Sequence, residues 1–264
     1  MGKTHLYFTD CHADPKHAND RFDWLGRLIV DRQPDRVICG GDFGNFDSLS
    51  SYDRGKRSSV GATWKDDVDV VLDAQARLMG PVHSLNELRR KHKEKQYRPH
   101  WKMLGGNHCQ GRMEKVLQED WRLEGTVGVA AQRFEENGWD YTDFRKTAFI
   151  DGIGYSHYFT SGAMGRAIGP PNVGNKLIKK NMTSSVVGHN HYLDVANQSR
   201  ADGKRIWGIS AGCYMDFTPE YAKDSAQDWW RGILILHGVE DGDFTSFELL
   251  TMNQIRGDYG NVHS

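Results

Sequence analysis

The sequence predicts an α/β fold with two β-sheets in one domain, and three observations carry that prediction. Short apolar runs at residues 5–9, 36–39, 101–104 and 185–187 each stop where glycine, aspartate, asparagine or histidine begins. A helical pattern lies between the first two runs, and strand, helix, strand is the right-handed crossover unit of a parallel sheet. Further apolar runs at 205–209, 232–236 and 244–250 follow with no repeat or low-complexity linker between the halves, so they are assigned to a second sheet of the same domain, residues 1–264.

Composition narrows the functional classes. At 264 residues the chain can bury a substantial core. Its 34 Lys and Arg nearly cancel 35 Asp and Glu, giving a formal net charge of -1. That excludes a global attraction to polyanions but allows a local basic patch. No run approaches the roughly 18 to 20 apolar residues that span a bilayer. The polar opening Met1-Gly2-Lys3-Thr4-His5 precedes too short an apolar segment for a signal peptide. The expectation is a soluble, cytoplasmic protein without a membrane partner. Cys11, Cys39, Cys109 and Cys213 form no Cys-x-x-Cys pair, so reduced, buried thiols with no catalytic role are expected.

Residues 5–9 read as a strand ending at Asp10-Cys11-His12. In an extended chain residues two apart share a face, so Asp10 and His12 can reach one metal while Cys11 points away. Pro15 suits a helix start, and Phe22, Leu25, Leu28 and Ile29 recur on one helical face. Gln33-Pro34-Asp35 breaks that helix before a second strand at 36–39, closed by Gly40-Gly41-Asp42. The crossover sets Asp10, His12 and Asp42 at the carboxyl ends of neighbouring parallel strands, where open α/β sheets place their ligand sites. Gly-Gly-Asp alone is equally readable as a tight turn.

Residues 44–100 read as a helical elaboration over the rim of that site. A helix over 66–79 has acidic residues early and Val68, Val71, Leu72 and Leu78 later, with Gly80-Pro81 ending it. A second helix from about Ser84 runs into residues 87–98, which carry a formal excess of four positive charges. The basic stretch 89–98 is either a solvated helix face or a contact surface for nucleic-acid phosphates. A third strand, 101–104, stops at Gly105-Gly106-Asn107-His108. Asn107 offers a neutral oxygen ligand, His108 is free for acid–base work, and Arg112 is a candidate for bidentate contacts to a bound phosphate.

Helices are expected over 114–121 and 128–137, the latter capped by Gly138. Strands over 144–150 and 154–159 flank Asp151-Gly152, a hairpin turn, and the second carries His157. After a Gly- and Pro-containing loop at 162–174, a helix over 176–181 leads into the buried strand 185–187 and Gly188-His189-Asn190-His191. Two imidazoles cannot fill a coordination sphere alone, so the earlier acidic and histidine-bearing strand ends must converge on them.

Asp10-x-His12, Gly41-Asp42, Gly106-Asn107-His108, His157 and Gly188-His189-x-His191, in that order, resemble the calcineurin-like metallophosphoesterase family. The likeness covers the whole ligand set and most of the chain. Gly41-Asp42-Phe43 followed by Asp47-Ser48-Leu49-Ser50-Ser51-Tyr52-Asp53, together with Ala211-Gly212-Cys213-Tyr214-Met215-Asp216 and Tyr221-Ala222-Lys223, is similar to the family's phage and prophage members. Two positions depart from the family pattern: Tyr158 follows His157 where glycine is frequent, and Cys109 follows His108 where an acidic residue is frequent. Neither replaces a ligand.

The resemblance implies a four-layer α-β-β-α sandwich, two mixed β-sheets flanked by helices. It implies one divalent metal held by Asp10, His12, Asp42 and His191, and a second held by Asp42, Asn107, His157 and His189, with Asp42 as the bridge. Two ions about 3.5 to 4 Å apart can share and activate a water and neutralise a phosphoryl group attacked in line. Mixed nitrogen and oxygen ligands suit manganese, iron, zinc or nickel. His108 would orient a phosphate oxygen or protonate the leaving group, beside Asp42 and Arg112. The implied activity is phosphodiester hydrolysis, with nucleic acid or nucleotides as substrates, in the cytoplasm of a bacterial host if the chain is phage-encoded. A phosphomonoesterase or protein phosphatase, and a non-catalytic metal-binding scaffold, are the alternatives.

Overall fold

Alternation along the first strand decides the layering. In β1 (Lys3–Phe8), Leu6 and Phe8 join a core beneath helices, while Tyr7 between them joins a different core that faces a second sheet. The computed structural model describes residues 2–51 and 60–260, so Tyr52 and Asp53 lie outside the described residues, as do the side chains of Tyr221 and Lys223.

The first sheet has six strands in the order β13-β12-β1-β2-β3-β4. β2 (Arg36–Cys39), β3 (His100–Leu104) and β4 (Asp140–Thr142) run parallel in sequence beside β1. On its other side β12 (Gly232–Val239) is antiparallel to β1, and β13 (Ser246–Thr251) is antiparallel to β12. The second sheet orders β10 (Leu193–Ser199), β11 (Arg205–Ala211), β9 (Ser185–Val187), β6 (Ile153–Ser156) and β5 (Ala148–Ile150). A small hairpin, β7 (Thr160–Ser161) and β8 (Arg166–Ala167), follows β6.

Helices α1 (Asp20–Arg32), α2 (Trp64–Lys91) and α5 (Met252–Tyr259) cover the outer face of the first sheet through Leu25, Leu28, Val71, Leu78 and Ile255. The inner faces meet through Tyr7, Ile38, Tyr155, Val186, Ile209 and Leu234. α4 (Val173–Asn181) closes the outer face of the second sheet, with Val173 and Leu177 packed on Val187. α3 (Arg112–Glu119) continues a π-turn at Asn107–Gly111. The result is the four-layer α-β-β-α sandwich of two mixed sheets. Among the described residues no helix is long and apolar enough to cross a membrane.

Several elements differ from the sequence expectation. The strands at 232–239 and 246–251 complete the first sheet, not the second, because β12 pairs along β1 and its apolar residues divide between both cores. The helix expected to stop at Gly80-Pro81 runs on as one 28-residue α2. There the backbone of α2 comes so close to α1 that a Cβ on Gly26 would stand 2.5 Å from the Leu78 carbonyl oxygen and 2.9 Å from Pro81 Cγ. Tight packing of two helices thus overrides the local cost of proline.

The helix expected over 128–137 shrinks to one 3-10 turn, Val129–Gln132, because tertiary partners take its polar groups. Gln75 Nε2 donates to the Gln132 carbonyl at 2.7 Å, and Gln132 Nε2 donates to the Cys109 carbonyl at 3.0 Å. α1 begins at Asp20, with no helix at Pro15, and β5 spans only the end of the expected 144–150 strand. β4 and β10 are too short or too polar to signal themselves in the sequence, whereas α5 has Met252, Ile255 and Tyr259 at helical spacing, a signal that sequence reasoning missed. All four cysteines are buried and free.

Candidate metal centre

The carboxyl ends of β1, β2, β3, β6 and β9 point at one place, and each delivers part of a cluster of imidazoles and carboxylates. Three groups have ligand atoms within 4.8 Å of one another: Asp10, His12 and His191; His12, Asp42 and His108; and Asp42, His157 and His189. Asn107 joins the third group, its Oδ1 2.9 Å from His157 Nε2. All seven residues singled out as ligands therefore converge. His157 lies just beyond β6 and not within a strand.

The backbone reaches this geometry by a route the sequence conceals. Asp10, His12, Asp42, His189 and His191 all have positive φ, between 46° and 65°. An i, i+2 pair on extended chain would share a face, but here the strand has already ended and left-handed residues aim each side chain inward. A non-glycine residue in that region costs about 1 kcal/mol or more, and such residues persist where surrounding structure over-determines them. Two glycines make the close approach possible. A Cβ on Gly106 would stand 2.1 Å from Asp42 Oδ1, and one on Gly188 would stand 2.3 Å from Asp10 Oδ2.

Hydrogen bonds divide each carboxylate into an anchored and a presented oxygen. Asp10 Oδ2 accepts from Thr9 Oγ1 at 2.6 Å and from the His189 N–H at 2.8 Å. Its Oδ1 faces His191 Nε2 at 3.2 Å and His12 Nε2 at 3.8 Å. Asp42 Oδ1 accepts from the His108 N–H at 2.8 Å, while Oδ2 faces His157 Nε2 at 3.2 Å. Arg21, fully buried, clamps the Asp10–His12 loop by donating from Nη2 to the Cys11 carbonyl at 3.0 Å.

The histidines are oriented in the same way. His157 Nδ1 donates to the Gly40 carbonyl at 2.9 Å, which turns Nε2 to the cluster. Asn45 performs this task for two rings, and sequence reasoning missed it. Its Oδ1 accepts from His12 Nδ1 at 3.1 Å and from His108 Nδ1 at 2.9 Å, and its Nδ2 donates to Asp14 Oδ2 at 3.2 Å. The last bond fixes the amide orientation, so both imidazoles carry their proton on Nδ1. Its one signal in the sequence is its position three residues after Asp42, in Gly-Asp-Phe-Gly-Asn. Arg112 Nη1 donates to the Asn45 carbonyl at 2.7 Å and to Asp47 Oδ1 at 3.1 Å, so it braces the same segment.

Charge separates the groups strongly. Burial opposes ionisation of Asp10, yet His157, His12 and His191 outweigh it and hold this carboxyl well below the usual range. Asp42 is likewise depressed, burial being overcome by His157, His108 and His12. Burial pulls His157 down, but Asp42 and Asp10 raise it to about 9. Its proton sits where Asn107 and Asp42 oxygens converge, the arrangement in which a cation can replace a proton. His189 is pushed down to about 4 by burial and by the neighbouring His157, and His108 well down by burial.

The residues fit a metal. His12 Nε2 is buried without a hydrogen-bond partner among the described residues, although it lies in a polar cluster where such an atom ordinarily finds one. With Nδ1–H committed to Asn45, that nitrogen presents a lone pair. The buried His and Asp groups could thus hold a metal ion through mixed nitrogen and oxygen donors.

The basic stretch is elsewhere. Residues 92–98 connect α2 to the amino end of β3, so β3 separates them from Asn107 by about 17 Å of strand.

No protein-family model matches the chain, and no curated protein sequence matches it. Among solved structures, the crystal structure of TT1561 of Thermus thermophilus aligns with a TM-score of 0.41 at 8% identity, over 96% of this chain and 100% of that one. A second solved chain aligns with a TM-score of 0.37 at 13% identity, again over 96% and 100%.

Proposed function

We propose that the chain is a dinuclear, metal-dependent phosphoesterase of the calcineurin-like type that hydrolyses phosphodiesters, with nucleotides or nucleic acid as the substrate class. The observation that carries this reading is Asp42, which belongs at once to the group with His12 and His108 and to the group with His157 and His189. A carboxylate in that position suits a bridge between two ions. Asp10, His12, Asp42 and His191 would hold one, and Asp42, Asn107, His157 and His189 the other, with manganese the first choice and iron, zinc or nickel the others. When bound, two such ions supply Lewis acidity to phosphoryl oxygens and lower the pKa of water.

The chain's own residues supply the rest. His108, held through Nδ1–H by Asn45, presents the lone pair of Nε2, which would take up a proton from water and pass it to the departing oxygen. Arg112 adds a fixed positive charge beside His108. For a polynucleotide substrate, residues 89–98 would meet the phosphate backbone at a distance from the reacting bond, and salt-insensitive binding would remove that contact from the scheme.

The test is turnover of bis(p-nitrophenyl) phosphate and p-nitrophenyl phosphate by metal-reconstituted protein, together with metal analysis. Two ions per chain and faster diester than monoester turnover are expected, with a loss of about a hundredfold or more in His108→Ala. Undiminished turnover in that variant refutes the role of His108. Faster monoester turnover makes the protein a phosphomonoesterase, and fewer than two ions per chain with no turnover makes it a scaffold.

A further inference from the structure

Beside the histidine and carboxylate cluster lies a separate cavity of about 290 Å³, lined in part by Asp216, Trp229, Trp230, Arg231, Asn253 and Arg256. Its wall is tied directly to a candidate metal ligand. The Trp230 N–H donates to the His191 carbonyl at 2.9 Å, and the Trp229 indole meets the His191 imidazole edge-on, with centroids 4.2 Å apart and planes at 88°. Trp229 therefore borders both the cavity and the cluster.

The charge of this cavity is positive. Arg231 Cζ lies 6.0 Å from the Trp229 ring centroid, and its guanidinium is oriented by bonds of 2.7 Å to the Phe217 carbonyl and to Thr218 Oγ1. Arg256 stands with its Cζ 5.7 Å from the Trp24 ring. Among the described residues neither guanidinium has a carboxylate partner, whereas Asp216 is opposed by the buried Arg21 at 3.5 Å. Indole surface and two guanidiniums together select a flat aromatic group that carries further negative charge. The volume is at the small end of ligand pockets, which run from roughly 300 to 1,000 Å³, and so suits one monomer unit.

We propose that this cavity is a nucleotide subsite. It receives one nucleotide unit of a phosphodiester whose reacting phosphate lies on the cluster, with the base against Trp229 and the next phosphate along the chain against Arg231 and Arg256. The subsite rests on the phosphodiesterase reading above and deepens it: the substrate is a nucleotidyl diester, and a second phosphate is recognised. The cavity binds and orients, and takes no part in bond cleavage.

The experiment uses the manganese-loaded full chain and three p-nitrophenyl diesters: bis(p-nitrophenyl) phosphate, thymidine 5′-(p-nitrophenyl phosphate), and the latter with a 3′-phosphate. The expected order of kcat/KM rises from first to third. Trp229→Leu should reduce the preference for the nucleotidyl esters over the aryl ester at least tenfold, and Arg256→Gln should remove the gain given by the 3′-phosphate. The subsite is overturned if the wild-type order is flat. It is equally overturned if Trp229→Leu lowers all three substrates alike, since Trp229 then merely props His191. Should Trp229→Leu fail to fold, the Arg256→Gln comparison decides alone. If wild-type protein cleaves none of the three, the phosphodiesterase reading falls, and calorimetric titration with thymidine 3′,5′-bisphosphate decides the subsite. Saturable binding weakened at least fivefold by Arg256→Gln supports it, and no saturable binding overturns it.

Discussion

The two ends of the β1, β2 and β3 ribbon use similar residue types to opposite effect. At the amino ends, His5 is buried with Nε2 2.9 Å from Asp151 Oδ2 and Nδ1 2.7 Å from the Tyr155 hydroxyl. Burial lowers its pKa, so the neutral ring donates through Nε2 and accepts the tyrosine proton at Nδ1. Asp151 takes a second partner in Arg36 at 3.0 Å, and Asp140 is matched by Lys102 at 2.8 Å. At the carboxyl ends no lysine or arginine among the described residues answers Asp10 and Asp42. Imidazoles do, and one of them, His12, has no hydrogen-bond partner at Nε2 among the described residues. The amino-end carboxylates are matched by guanidinium and ammonium groups as well as by His5, whereas the carboxyl-end cluster is matched by imidazoles alone, whose protons can be exchanged for a cation, and could hold a metal ion.

Substitutions that interchange these two outcomes test the contrast. The largest effect is expected at Asp42: Asp42→Asn should lower diester turnover about a thousandfold, equivalent to about 4 kcal/mol of barrier, and reduce bound metal measured by elemental analysis. Next is Asn45→Leu, which removes the acceptor that orients His12 and His108. A loss of metal affinity of roughly 10- to 100-fold is expected, as for other groups that orient a ligand, and calorimetric metal titration reads it.

At the opposite end, His5→Phe should destabilise the fold by about 2 kcal/mol, by stranding the buried Tyr155 hydroxyl and leaving Asp151 to Arg36 alone, while the metal content stays that of the wild type. A drop in metal content there would erase the distinction between the two ends.

The smallest effect concerns Asp67, a buried carboxylate near the same rim with neither cation nor imidazole beside it among the described residues. Burial raises its pKa to about 6, opposite in sign to Asp10 and Asp42. A carboxyl raised in the folded state contributes stability that is full below its unfolded value, near 3.8, and is lost as pH climbs through about 6. Asp67→Asn, which does not titrate, should therefore be more stable relative to wild type at about pH 8 than at about pH 4. Thermal melts at the two pH values measure it.

Much of this contrast was legible in the sequence. The apolar runs that end at Asp10, Gly41-Asp42, Gly106-Asn107 and Gly188-His189 are strands, and the parallel order of β1, β2 and β3 follows from the crossover pattern. What escaped has physical causes. Left-handed backbone at Asp10, His12, His189 and His191 is imposed by the neighbouring strand ends, and aspartate or histidine there looks the same as in a strand. Asn45 is defined by contacts with residues 33 and 63 positions away. The sheet that β12 joins is set by its partner β1, since an apolar strand buried on both faces fits either sheet. Pro81 is tolerated only because α1 lies against it.

The left-handed residues carry one more consequence, for anyone who would move this site. Grafting the seven side chains onto straight, idealised strands would reproduce their order and lose their convergence, because the aim of five of them is set by backbone handedness. A faithful transplant has to carry the loop conformations with it. Valine, isoleucine or threonine scanned through positions 10, 12, 42, 189 and 191 would fail for reasons of main-chain geometry before ligand chemistry is even tested.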